Sequence, residues 1–231
     1  MNRARTPERQ GTDGRSPRTA HTVWIGLIGV LCAVEAVLIL SDMGLIGSAR
    51  WRPLAYQYGA FWSGLLHGWA PNFAMQPISM FASYAFLHAD WQHLVGNTVT
   101  LAWLGQTLGD RCGPWRFVQI YAISALGGAV GFGLLALSPS PMVGASGAVM
   151  GLIGVWVIWD AMDMQAEGEP RRRVLGTAMW RVGVILIVNL VMIVVLNGVL
   201  AWQTHLGGFL AGIAAGFAFS PNALGDDRSG E

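Results

Sequence analysis

Six apolar runs, each near the length that crosses a lipid bilayer, decide what this chain can fold into. They cover about 22–41, 91–109, 115–137, 146–162, 176–200 and 203–220. A helix rises about 1.5 Å per residue, so about 20 apolar residues cross the hydrocarbon core. The pattern predicts an all-α membrane protein: a bundle of six transmembrane helices in one domain. Composition agrees, since 53% of the 231 residues are hydrophobic and 12% charged, against about a quarter charged in soluble domains. The fourth and sixth runs look short. A short helix must begin or end inside the membrane, with its first turn facing a cavity rather than lipid.

Every one of the 14 basic residues is an arginine. With six spans, Arg50 and Arg52 fall on one side and the rest on the other, so the positive-inside rule puts both termini in the cytoplasm. Residues 1–21 read as a disordered cytoplasmic tail, 22–220 as the transmembrane domain and 221–231 as a C-terminal tail. The first run is longer than a signal-peptide core and reads as an uncleaved span. Arg as the sole basic residue, with abundant Ala and Gly, fits a GC-rich bacterial coding sequence and an inner-membrane location. The arginines scatter to helix flanks, which leaves no basic groove for nucleic acid. Cys32 and Cys112 match neither a disulfide framework nor a metal site.

Residues 47–90 form the longest connection, dense in aromatics such as Trp51, Tyr56, Trp62, Trp69 and Tyr84. That density without a full span predicts a segment lying in the interface or dipping partway in. Pro53, Pro71 and Pro77 should break it into short pieces. Farther on, Pro139 and Pro141 should stop the third helix and keep the chain extended up to Gly144.

Ser146 heads the fourth run and His205 heads the sixth. Polar side chains at such depth are costly and point to chemistry. A serine attacks an acyl carbon when a base takes its proton and donors hold the oxyanion. At a helix start, unpaired N–H groups and the helix dipole supply part of that hole. Gly144 and Gly147 permit a tight turn and close approach of backbone. Gly147, Gly151 and Gly154 form one stripe, and Gly208, Gly212 and Gly216 another. Small residues so spaced let membrane helices approach closely. If the stripes face each other, His205 falls near the head of the fourth helix. His93 and Asn97, four residues apart, share one helix face. Either they donate to an oxyanion or they bond neighbouring backbone.

Gly144-Ala145-Ser146-Gly147, His93-Leu94-Val95-Gly96-Asn97 and His205-Leu206-Gly207-Gly208 followed by Gly212 together resemble the rhomboid intramembrane serine proteases. The resemblance covers about residues 50–220. It implies a six-helix membrane protease acting on transmembrane protein substrates within the bilayer. It implies Ser146 as nucleophile and His205 as base, with His93, Asn97 and the Ser146 N–H as oxyanion hole. It implies no cofactor, and it gives His88 a structural role. The sequence departs from the family in three places. Met150 stands where an aromatic often stacks on the histidine, Thr204 where Ala is common, and Ser79-Met80 where a Trp-Arg pair is common.

Asp160 lies about 21 Å along the helix from Ser146, too far to complete a triad; Asp90 is nearer the outer surface. Glu35, inside the first span, reads as a protonated or internally paired structural residue. A non-catalytic rhomboid-like chaperone or binding module is the alternative, and such proteins typically lose the serine or the histidine. A transporter would carry polar residues through the full depth of several helices. A metal site from His88, His93 and His205 lacks a carboxylate or cysteine ligand.

Overall fold

The computed structural model describes residues 17–136, 139–196 and 198–220. The chain is all-helical among them: α1 (Pro17–Asp42), α2 (Trp51–Gly59), α3 (Gln76–Ser83), α4 (Trp91–Leu135), α5 (Ser146–Ala166), α6 (Arg171–Val195) and α7 (Trp202–Ala218). Short 3₁₀ turns occupy Ser63–Leu66 and Tyr84–Phe86. Helices α1, α4, α5 and α6 are long and apolar enough to cross a membrane. Helix α1 begins within the expected tail. Residues 1–16 and 221–231, the remainder of both expected tails, lie outside the described residues.

The second and third expected spans are one helical run of 45 residues, α4, interrupted at Gly113 (φ 72°, ψ 169°). That region of backbone space is open essentially to glycine alone, and Pro114 after it is pre-set for a new first turn. The interruption is a reversal. A straight helix would put His93 and Gly128 about 52 Å apart. Yet His93 lies against Gly144 and Gly128 lies against Gly147. Segments 91–112 and 114–135 therefore run back along each other. Arg111, beside the bend, pairs with Asp163 near the far end of α5 at 2.9 Å, so the bend sits at the end of the bundle away from Ser146.

Helix α5 is not short: at 21 residues it is long enough to span. The hydropathic run broke off early because Asp160 and Asp163 lie in its last turns, where Asp160 pairs with Arg181 and Asp163 with Arg111. Helix α7, with 17 residues, is indeed the shorter one.

Backbone contact between helices explains the glycines. A methyl group at Gly208 would sit 2.0 Å from the Gly147 carbonyl oxygen, and one at Gly212 would sit 1.9 Å from that of Gly151. Helix α4 joins from the other side: a methyl at Gly131 would fall 2.8 Å from the Gly207 Cα. Helix α7 is thus wedged between α4 and α5 at distances that only glycine allows. The α4 glycines Gly127, Gly128 and Gly131 are a third set that the sequence reading overlooked.

The connection 47–90 is ordered. Pro53 and Pro77 do not break its helices; they sit in the first turns of α2 and α3, where proline has no lost N–H to compensate. Phe61, fully buried, packs edge-on against Phe81 and Phe132. Its backbone exchanges two 2.9 Å hydrogen bonds with Met142. The segment before α5 is thereby pinned to the first connection. The Gly144 N–H adds a 3.0 Å bond to the Tyr84 carbonyl.

Buried Glu35 on α1 is paired. Arg52 of α2 reaches both its carboxylate oxygens, at 2.8 and 3.2 Å, and Asp42 at 2.6 Å. Arg52 also donates to the His88 carbonyl at 3.1 Å, which Tyr56 Oη meets at 2.6 Å. Burial opposes the guanidinium charge, but the bonds to Glu35 and Asp42 outweigh it and raise the Arg52 pKa. Trp51 and Arg52 open α2, while Ser79-Met80, where the family's Trp-Arg pair is common, lies within α3.

Candidate functional site at the heads of α5 and α7

Ser146 is the first residue of α5, so its backbone N–H is one of the four that a helix leaves without an internal partner. Gly144, two residues before, has φ 126°, a value side chains avoid. It is excluded on a second ground as well: a Cβ there would lie 2.6 Å from His93 Cε1 and 2.8 Å from Nε2. Glycine at 144 lets the His93 ring lie flush against the strand of backbone that leads into the serine.

His93 is held at the start of α4. Asp90 caps that helix and accepts the His93 N–H at 2.8 Å. The Ala89 N–H approaches His93 Nδ1 at 3.5 Å. A ring nitrogen that accepts is unprotonated, so the neutral ring carries its hydrogen on Nε2, the atom beside Gly144. One turn on, Asn97 is buried, and its Nδ2 donor has no protein partner among the described residues. A buried amide donor without a partner costs about 1–3 kcal/mol. The pair thus offers two donors from one helix face.

His88 is fully buried with its ring edge-on to His93, centroids 5.2 Å apart. Neither ring nitrogen has a protein partner among the described residues. Burial, and then the neighbouring His93, push its pKa down to about 4, against a smaller opposing pull from Asp90. It is a neutral prop behind His93.

On α7, Thr204 is buried, and its methyl group fills the space that a Cβ at Gly147 or Gly128 would need. A larger group than alanine at this position is accommodated because both facing residues are glycine. Thr204 touches the residue after Ser146 and is itself followed by His205. Gly208, one turn on, rests on the Gly147 carbonyl. The structure thus brings Gly144, Ser146, Gly147, His93, His205 and Gly208 into one region, at the end of the bundle opposite the Gly113 bend. Met150 is buried one turn below Ser146.

One residue of the region escaped the sequence reading. Asn189 on α6 lies with Oδ1 2.5 Å from His205 Nδ1, while its Nδ2 donates to the Ile185 carbonyl at 2.9 Å. Its signal was available: it is the sole polar side chain in an otherwise apolar stretch from 182 to 196. Asp90 caps a helix, and Asp160 is engaged with Arg181.

A rhomboid domain matches residues 75–222. RHOMBOID-like protein 4 of Arabidopsis thaliana is 33% identical over 138 residues, 57% of this chain and 32% of that protein. Rhomboid-like protease 1 of Toxoplasma gondii is 32% identical over 135 residues, 58% of this chain and 45% of that protein. Rhomboid-like protease 3 of the same organism is 30% identical over 154 residues, 63% of this chain and 53% of that protein. The chain spans from about a third to just over half of the length of these relatives. With its long apolar helices and a rhomboid domain over residues 75–222, the chain is an integral membrane protein and belongs to the rhomboid family.

Proposed function

We propose that the chain is an intramembrane serine endopeptidase that cleaves transmembrane-segment substrates through Ser146 and His205. The observation that carries this reading is the seating of α7 on α5: Thr204 against Gly147 and Gly208 on the Gly147 carbonyl. Those contacts place the residues next to them, Ser146 and His205, at the same level of two touching helices.

In this reading His205 takes the Ser146 proton as the serine oxygen attacks the scissile carbonyl. The tetrahedral oxyanion is met by the Ser146 N–H, His93 Nε2–H and Asn97 Nδ2–H, donors already in place before charge develops. Protonated His205 then gives its proton to the leaving amine. Water, activated by the same base, clears the acyl-enzyme. The substrate must present an extended backbone, so helix-breaking or small residues are expected beside the cut.

The chain crosses the membrane six times: α1, the two arms of α4, α5, α6 and α7. The arginines put both termini in the cytoplasm and the Ser146 end outward. The first connection lies in the outer interface. The membrane is a bacterial inner membrane, on composition.

Purified protein with a generic transmembrane substrate tests this reading. The native chain should cleave and take up a fluorophosphonate label, and Ser146→Ala and His205→Ala should do neither. If His205→Ala cleaves as fast as native, the dyad is wrong. If the native chain binds transmembrane segments but neither cleaves nor labels, it is a non-catalytic rhomboid-like binder.

A further inference from the structure

Asn189 interrupts the most lipid-exposed helix of the bundle. None of the residues of α6 is buried, and the neighbours Leu186, Ile187, Val188, Leu190 and Val191 are all more than half exposed. An amide among them is costly unless its polar atoms are used. Both ends are used. Nδ2 donates to the Ile185 carbonyl one turn back, which fixes which end of the amide carries hydrogens. Oδ1 is therefore the atom 2.5 Å from His205 Nδ1. An amide oxygen only accepts, so Nδ1 must bear the hydrogen. In the neutral ring that leaves Nε2 unprotonated and free to act as the base.

From this geometry we infer that Asn189 is a positioning residue: it holds His205 in the Nδ1–H tautomer and fixes the plane of its ring. The inference rests on the protease reading and deepens it. A histidine acts as base through one nitrogen only, and the partner of the other nitrogen selects which. Where relatives of this family often stack an aromatic on the histidine, this chain has Met150, whose sulfur is only a weak acceptor. The amide comes from a different helix and supplies a directional constraint instead. It lacks the negative charge of a triad carboxylate, so it sets tautomer and orientation while stabilising the imidazolium less than a carboxylate would.

The test compares the full chain in lipid nanodiscs as native, Asn189→Leu, Asn189→Asp and Ser146→Ala. Cleavage of a transmembrane substrate is read as separate kcat and KM values. ¹⁵N spectra of labelled histidine are read for the His205 tautomer. Leu shares the branched heavy-atom skeleton of Asn but accepts no hydrogen bond; Asp keeps the acceptor. Asn189→Leu should lower kcat about 10- to 100-fold at unchanged KM, part of the 10²–10⁴ that a positioned acid–base group supplies. Its His205 signals should move from the fixed Nδ1–H pattern toward a tautomer mixture. Asn189→Asp should restore the pattern and most of kcat. Asn189→Leu cleaving at native kcat with an unchanged tautomer overturns the inference and leaves the dyad standing. A native spectrum with the hydrogen on Nε2 overturns it even if Asn189→Leu does not fold. A native chain no more active than Ser146→Ala overturns the protease reading, and the inference with it.

Discussion

Gly208 lies so close to Gly147 that a single added methyl group would sit 2.0 Å from the Gly147 carbonyl oxygen. The side chain that follows Ser146 in sequence and the one that follows His205 by three are both hydrogen atoms, and helix meets helix there through backbone. Gly208→Ala must push α7 away from α5, and overpacking of this kind typically costs about 1–3 kcal/mol. Gly216→Ala, where the nearest atoms are 3.3 Å away, should be far milder. Thermal unfolding in detergent should show a clear drop for the first and little change for the second. Equal drops would mean that the two contacts carry similar strain.

The Nδ2 of buried Asn97 makes no protein hydrogen bond among the described residues. If it donates to the oxyanion, Asn97→Ala should lower kcat about 10²- to 10³-fold, the usual effect of deleting one such donor. Because no bond of that atom holds the fold together, the unfolding midpoint should stay close to native. A large loss of stability with proportionate loss of activity would assign the amide to packing.

Glu35 is fully buried, and Arg52 is the cation that holds it. Arg52→Ala strands a carboxylate in an apolar setting, a change worth about 3–5 kcal/mol. Glu35→Leu combined with Arg52→Met removes both charges and should recover much of that loss. A double-mutant cycle on unfolding free energies checks it; additive effects would show that the pair is uncoupled.

His88 sets an acid limit. Burial lowers its pKa to about 4 in the folded chain, against about 6.5 when unfolded. The unfolded state therefore binds the extra proton between those values, and stability falls as pH drops from about 6.5 to 4. The loss attributable to His88 is at most about 3 kcal/mol. His88→Phe should flatten the dependence in that window. An unchanged slope would locate the acid sensitivity elsewhere.

Much of the fold was legible because hydrocarbon thickness and helical rise leave few choices. The serine and histidine stood out as polar groups at the heads of apolar runs, and the glycine stripes said which helices touch. What stayed hidden has physical causes. Asp160 and Asp163 cut the hydropathy of α5 short because a window sees charges but not the arginines that pair with them. Pro53 and Pro77 read as breakers since their effect depends on whether they fall in a first turn. The reversal at Gly113 removed the gap expected between the second and third runs, because one glycine conformation replaces a loop. Asn189 was overlooked since a lone amide in an apolar run reveals its purpose only once its partner, 16 residues on, is placed beside it.

Tyr84 ties three parts of the chain together. Its carbonyl takes the Gly144 N–H, its hydroxyl donates to the Ala125 carbonyl at 2.7 Å, and its ring end lies where Gly128 and Gly147 approach. The stretch from 47 to 90 is therefore no interchangeable module. A graft that swapped it for the corresponding stretch of a distant relative would have to bring along a phenol of the same reach, or the backbone leading into α5 would lose the template against which it is shaped.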